Sequence, residues 1–211
     1  MRHIRLKIFV LALIVLSFGT AWADTITLNP VDDVYWTSTT STTPIDSTVL
    51  LLGGGTSYNR FAMKFDLTAI PDGSTITSAT LNIYQSSYST ASSTIAALLK
   101  YSADDNWSDS AIPAGGPAAT VQIGGNRSLT NPAAPRLRSW DLLTAVNPWN
   151  PIPDLDDNFL SLRVDQTNPS VRSLSQFYSS SNTTNKPYLL VDYTPPAHVP
   201  GPATILLLGT G

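Results

Sequence analysis

The stretch LLLGGGTSYNRFAMKFDLTAIPDGSTITSATLNIY, residues 50–84, decides the fold. With Val49 it opens on an apolar run that reads as a strand buried on both faces. Gly53, Gly54 and Gly55 then permit a sharp change of backbone direction. A polar loop delivers Tyr58, Asn59 and Arg60. From Arg60 to Asp66 the period is two. Phe61, Met63 and Phe65 fall on one side, Arg60, Ala62, Lys64 and Asp66 on the other, which predicts a half-buried strand. Pro71-Asp72-Gly73 is a turn. Beyond it Ala79, Leu81 and Ile83 line one face of the next strand, with Thr80, Asn82 and Tyr84 opposite.

The same grammar extends outward. Asp24–Leu28, Asp33–Thr37, Ile95–Tyr101, Thr120–Ile123, Arg136–Asp141, Phe159–Val164, Leu174–Tyr178 and Tyr188–Tyr193 read as short strands between turn-rich segments. Leu142–Val146 could form one helical turn capped by Asp141. Residues 37–48, 85–94 and 111–119 read as loops. Many short strands without a long helix predict an all-β fold, a jelly-roll-like β-sandwich of two antiparallel sheets. The composition agrees. All 15 acidic residues are Asp, cysteine is absent and charged residues make up 13%. Without cysteine there is no disulfide framework and no thiolate metal site.

The ends read as addresses. Residues 1–23 join a basic start to a run of about a dozen apolar residues and end in Ala21-Trp22-Ala23, a signal-peptide pattern with cleavage by signal peptidase before Asp24. Loss of Arg2, Arg5 and Lys7 takes the formal charge from −3 to −6, which argues against nucleic-acid binding. Residues 195–211 read as a Pro-rich linker leading into an apolar run too short to span a membrane. In this tail Val199-Pro200-Gly201-Pro202 resembles the Val-Pro-Glu-Pro motif of PEP-CTERM sorting signals, with Gly201 in place of glutamate and no basic cluster following. That resemblance implies an incomplete or degenerate signal, a Gram-negative envelope and processing by an exosortase.

The domain between them, residues 24–194, resembles a DNRLRE-type domain, related to carbohydrate-binding modules and disaggregatase-associated repeats. The resemblance rests on several segments in order. Leu50 to Gly55, Asn59-Arg60 and Lys64-Phe65-Asp66-Leu67 come first. The spacing Pro71-x-Gly73-x-x-Ile76-x-x-Ala79-x-Leu81-x-Ile83-Tyr84 follows. Trp107-Ser-Asp109 stands where the family has Trp-x-Glu, and the segments from Trp140 to Val146, Phe177 to Ser179 and Pro187 to Tyr193 complete the series. The loop before Trp140 departs most. The resemblance implies a secreted jelly roll that binds acidic or neutral polysaccharide.

The chemistry points the same way. After signal-peptide removal the one histidine is His198, in the linker, so the domain cannot hold a Ser-His-Asp triad. A two-carboxylate glycosidase could draw on Asp32/Asp33, Asp104/Asp105 or Asp156/Asp157, but adjacent Asp residues in turns more often cap, turn or bind cations. Sugar binding needs aromatic platforms and polar side chains at a surface. Trp140 and Trp107 are expected to pack against the core, whereas Trp149 and Tyr58 are the candidates for exposure. Arg60 is expected to pair with Asp66 or another carboxylate; otherwise it would grip a uronic-acid carboxylate in bidentate fashion, with Asn59 beside it. Arg127, Arg136 and Arg138 form a basic cluster that either is solvated or meets an anionic glycan. A structural calcium could be held by Asp32, Asp33 and Asp192, or by Asp154, Asp156 and Asp157. The expected function is a non-catalytic extracellular polysaccharide-binding module. The alternatives are a structural or adhesive matrix protein, or a glycan-degrading enzyme.

Overall fold

The computed structural model describes residues 22–37, 40–55, 58–89, 94–130, 132–143, 158–168 and 170–196. The signal-peptide segment up to residue 21, Trp149, the Asp154, Asp156 and Asp157 set, and the tail motif of Val199, Pro200 and Pro202 lie outside them. The strands are β1 (Asp24–Leu28), β2 (Pro30–Thr37), β3 (Val49–Gly53), β4 (Asn59–Asp66), β5 (Thr75–Ser89), β6 (Ile95–Ser102), β7 (Ala119–Gln122), β8 (Arg127–Leu129), β9 (Arg136–Asp141), β10 (Phe159–Gln166), β11 (Leu174–Tyr178) and β12 (Tyr188–Thr194).

Every pairing is antiparallel, and the sheet curls into two facing layers. One layer runs β2-β4-β10-β6, with β7 and β8 on β6. The other runs β1-β12-β5-β9, with β11 on the far half of β5 and β3 on β11. The layers join where Gly53 pairs with Asn59. Gly53 sits at φ +96, and a Cβ there would overlap the Ser173 carbonyl, so the close crossing of backbones requires glycine. This is the product of the triple glycine.

Phe61, Met63, Phe65, Leu162 and Val164 of the first layer meet Leu81, Ile83, Phe177, Leu189 and Val191 of the second in one buried cluster. The Phe61 and Phe177 rings touch across the gap with centroids 5.3 Å apart. Each such side chain contributes about 1.5–3 kcal/mol by leaving water. Trp140 belongs to this core, as its sequence context predicts. The Pro71 turn is present too: Ser74 N–H donates to the Pro71 carbonyl at 3.1 Å, and Gly73 has φ +75.

Three expectations change. β4 is buried on both faces, not one. Its second face carries a small cluster of Val34, Trp36, Ala62, Trp107 and Ile112, because the chain after β6 folds back over it. β5 continues through residues 85–89, which read as a loop, because β11 supplies ladder partners from Gln85 to Ser89. β8 is a strand that no local pattern announces. Of the helical turn proposed at 142–146 the described part is a bend in which Leu143 N–H donates to Asp141 Oδ1 at 2.9 Å.

Candidate arginine pocket and its surroundings

Register explains where Arg60 goes. On the second face of β4, Trp36 lies opposite Arg60 and Val34 opposite Ala62, while Arg163 of β10 flanks Ala62. Arg60 Nε stands 3.5 Å from Asp165 Oδ1, and the same carboxylate takes Arg163 Nε at 2.9 Å and Lys100 Nζ at 3.0 Å. The internal ion pair therefore uses Asp165. Asp66 instead accepts the Thr68 N–H at 2.9 Å, which holds its carboxyl below the usual range. Burial pushes the Arg60 guanidinium down; Asp165 opposes that shift and Arg163 adds to it. Half-buried Tyr58 stacks on Arg60, with the guanidinium carbon 4.2 Å from the ring centre. Asn59 is buried and donates to the Gly53 carbonyl at 2.8 Å. Asn59 and Arg60 thus serve the fold, and only Tyr58 keeps a partly open face.

Trp107 is also internal. Its indole N–H donates to Ser161 Oγ at 2.9 Å, and that hydroxyl donates to Asp105. Lys64 closes the group by pairing with Asp32 at 2.7 Å and donating to the Trp107 carbonyl.

The proposed calcium trio is split. Asp192 sits on β12, accepting from Thr25 Oγ1 at 2.6 Å. Asp32 is paired with Lys64. Asp33 is fully buried and accepts from Ser180 N–H at 2.6 Å and Ser180 Oγ at 2.8 Å. No group of three or more His, Cys, Asp or Glu among the described residues could hold a metal ion. Proximity in sequence joined Asp32 and Asp33, but successive residues of a strand point to opposite faces. Desolvation raises the Asp33 carboxyl to about 6, with nearby Asp109 and Asp46 adding to the rise against the Ser180 bonds.

The basic cluster does converge. Arg127, Arg136 and Arg138 line one pocket of about 230 Å³ with Leu137 and Ser139. The convergence is tertiary: β8 hangs from β6 in one layer and β9 from β5 in the other, so the two strands meet across the sandwich edge. Arg136 and Arg138 share a face of β9, opposite Gln85 and Ile83. Buried Gln85 orients Arg138, its Oε1 accepting the Arg138 Nε–H at 2.8 Å and an Nη2–H at 2.5 Å. Its amide meanwhile donates to Ser175 Oγ at 2.9 Å and the Thr130 carbonyl at 3.2 Å, so the acceptor is held in place from both sides. Burial and then the Arg136 charge push the Arg138 guanidinium down. Among the described residues the lining holds three cations and no carboxylate, which suits a ligand with negative charge.

A second depression, about 470 Å³, lies on the outer face of the β1-β12-β5-β9 layer and is lined by Thr27, Asn29, Tyr84, Thr184, Lys186 and Tyr188. Its tyrosines were legible only as the positions alternating with core residues Ile83 and Leu189.

No curated protein matches the chain. The family model of carbohydrate-binding module family 96 does, over residues 24–193. That match runs from the first residue of β1 into β12 and takes in both depressions, and the chain belongs to carbohydrate-binding module family 96.

Proposed function

We propose that the domain binds an acidic polysaccharide through Arg127, Arg136 and Arg138 and does not cut it. The observation that carries this reading is the convergence of three arginines, from strands of two layers, on one pocket with no carboxylate among its described lining residues. Guanidinium forks match carboxylate and sulfate oxygens, and Arg138 is held in position by Gln85 before any ligand arrives. Family membership and the order of the DNRLRE-type motifs support a glycan as the ligand. The leader pattern of residues 1–23 and the PEP-CTERM-like tail at Val199, Pro200 and Pro202 support export, signal-peptidase cleavage and exosortase sorting at a Gram-negative cell surface.

Affinity electrophoresis in gels containing alginate, fucoidan or a neutral glucan tests the ligand class. Retardation by the acidic polymers, weakened by salt and by Arg136→Ala, is expected. Equal retardation by the neutral glucan, or none in any gel, would refute it. Chromatography of the incubated polymers tests the absence of cleavage; shortened chains would contradict it.

A further inference from the structure

We propose that the glycan site is a track across four strands, in which Tyr84 and Tyr188 seat sugar rings and the arginine pocket forms one end. This extends the acidic-polysaccharide reading above and rests on it.

The two depressions adjoin. Tyr84 lines one and Leu137 the other, and these residues are direct cross-strand partners between β5 and β9. The next row repeats the join. Tyr188 of β12 lies opposite Asn82 of β5, which lies opposite Ser139 of β9. Ser139 lines the arginine pocket and donates to Asn82 Oδ1 at 2.7 Å. One surface therefore runs from Thr27 and Asn29 beside β1, over Tyr188 and Tyr84, to Leu137 and Ser139 on the outer face of edge strand β9, and the arginine pocket opens across that edge, with Arg136 and Arg138 on the other face of the same strand.

The side chains along it suit a sugar chain. Tyr84 and Tyr188 are half-buried, so each ring is braced by neighbours yet keeps an open part. Pyranose rings pack their C–H faces on such platforms, while Asn29, Thr27 and Thr184 offer hydrogen bonds to hydroxyl groups. Lys186 is exposed at the tyrosine end and places a cation there as well, so both ends favour an acidic polymer. Leu137, 38% exposed on an edge strand, bridges the two depressions with an apolar surface. From β1 to β9 there are three inter-strand steps of about 4.8 Å, roughly 14 Å in all, the reach of a tri- or tetrasaccharide.

The test uses the full chain and whichever of alginate or fucoidan it binds, with oligomers of that polymer from dimer to hexamer, by calorimetric titration. Affinity is expected to rise with length to the tri- or tetramer and then level. Tyr84→Ala and Tyr188→Ala should each weaken binding roughly tenfold. Lys186→Ala, on an exposed residue where folding is not at stake, should weaken it severalfold and flatten its salt dependence. If Arg136→Ala abolishes binding while both tyrosine variants and Lys186→Ala match the wild type, the track is wrong and the arginine pocket stands alone. A plateau already at the dimer also overturns it. Wild-type affinity in the arginine and tyrosine variants alike, or no binding of either acidic polymer by the wild type, removes both readings.

Discussion

Asp33 offers a sharp test of the electrostatics. It is fully buried, faces Asp109 and Asp46, and has its carboxyl raised from 3.8 to about 6. A raised value means that the fold favours the protonated form. The contribution of this group is therefore fully present below pH 3.8 and is lost as pH rises through about 6. The rise corresponds to about 3 kcal/mol between the two limits. Asp33→Asn removes the titration while keeping the shape. Its amide oxygen can accept the Ser180 N–H, and its NH2 can donate to Ser180 Oγ, the two groups that now donate to the carboxylate. Urea unfolding of both proteins from pH 3 to pH 8, compared at fixed m, gives the difference directly. The wild type should lose about 3 kcal/mol relative to Asp33→Asn across that range, roughly 6–12 °C in Tm for a domain of this size. Asp66, lowered by Thr68, titrates in both proteins and cancels, whereas Asp109, also raised by burial, repels Asp33, so the difference includes that mutual repulsion. Parallel stability curves, or a wild type that gains on Asp33→Asn as pH rises, would refute the argument.

Gly116→Ala should destabilise by about 1–3 kcal/mol, because Gly116 has φ +80 and a Cβ there would overlap the Trp36 ring; a lower urea midpoint with unchanged m would show it. Asp165→Ala leaves Arg60, Lys100 and Arg163 without their shared carboxylate and should cost about 3 kcal/mol in the same assay. Ser161→Ala strips the Trp107 indole N–H of its acceptor and Asp105 of a donor, so a loss of about 1–3 kcal/mol with a shift in tryptophan emission is expected. Gln85→Ala should weaken acidic-polymer retardation without removing a cation, since Arg138 loses the acceptor that orients it; unchanged retardation would mean that this orientation does not matter for binding.

Much of the core could be read from alternation. Phe61, Met63 and Phe65, or Leu81 and Ile83, take one face because side chains in a strand alternate, and that rule is local. What covers the opposite face is not local. Arg60 and Lys64 fall on the polar side of a strand read as half-buried, yet the segment carrying Trp107 and Ile112 closes over that side, and the carboxylate that pairs with Arg60 lies more than a hundred residues away at Asp165. Residues 85–89 illustrate the same limit: polar and unpatterned, they are strand because β11 completes their ladder.

The sequence by itself determined an all-β chain, the alternating faces that make its core, a sharp change of backbone direction at Gly53 to Gly55 and a basic cluster between residues 127 and 138. Only the tertiary structure decided that Asn59 and Arg60 serve the fold while Arg127, Arg136 and Arg138 share a pocket. The physical reason is pairing. Periodicity assigns a side chain to a face, but which strands lie side by side is chosen by burial summed over the whole chain. The hanging of β8 from β6 and β9 from β5 is what brings three separated arginines to one pocket.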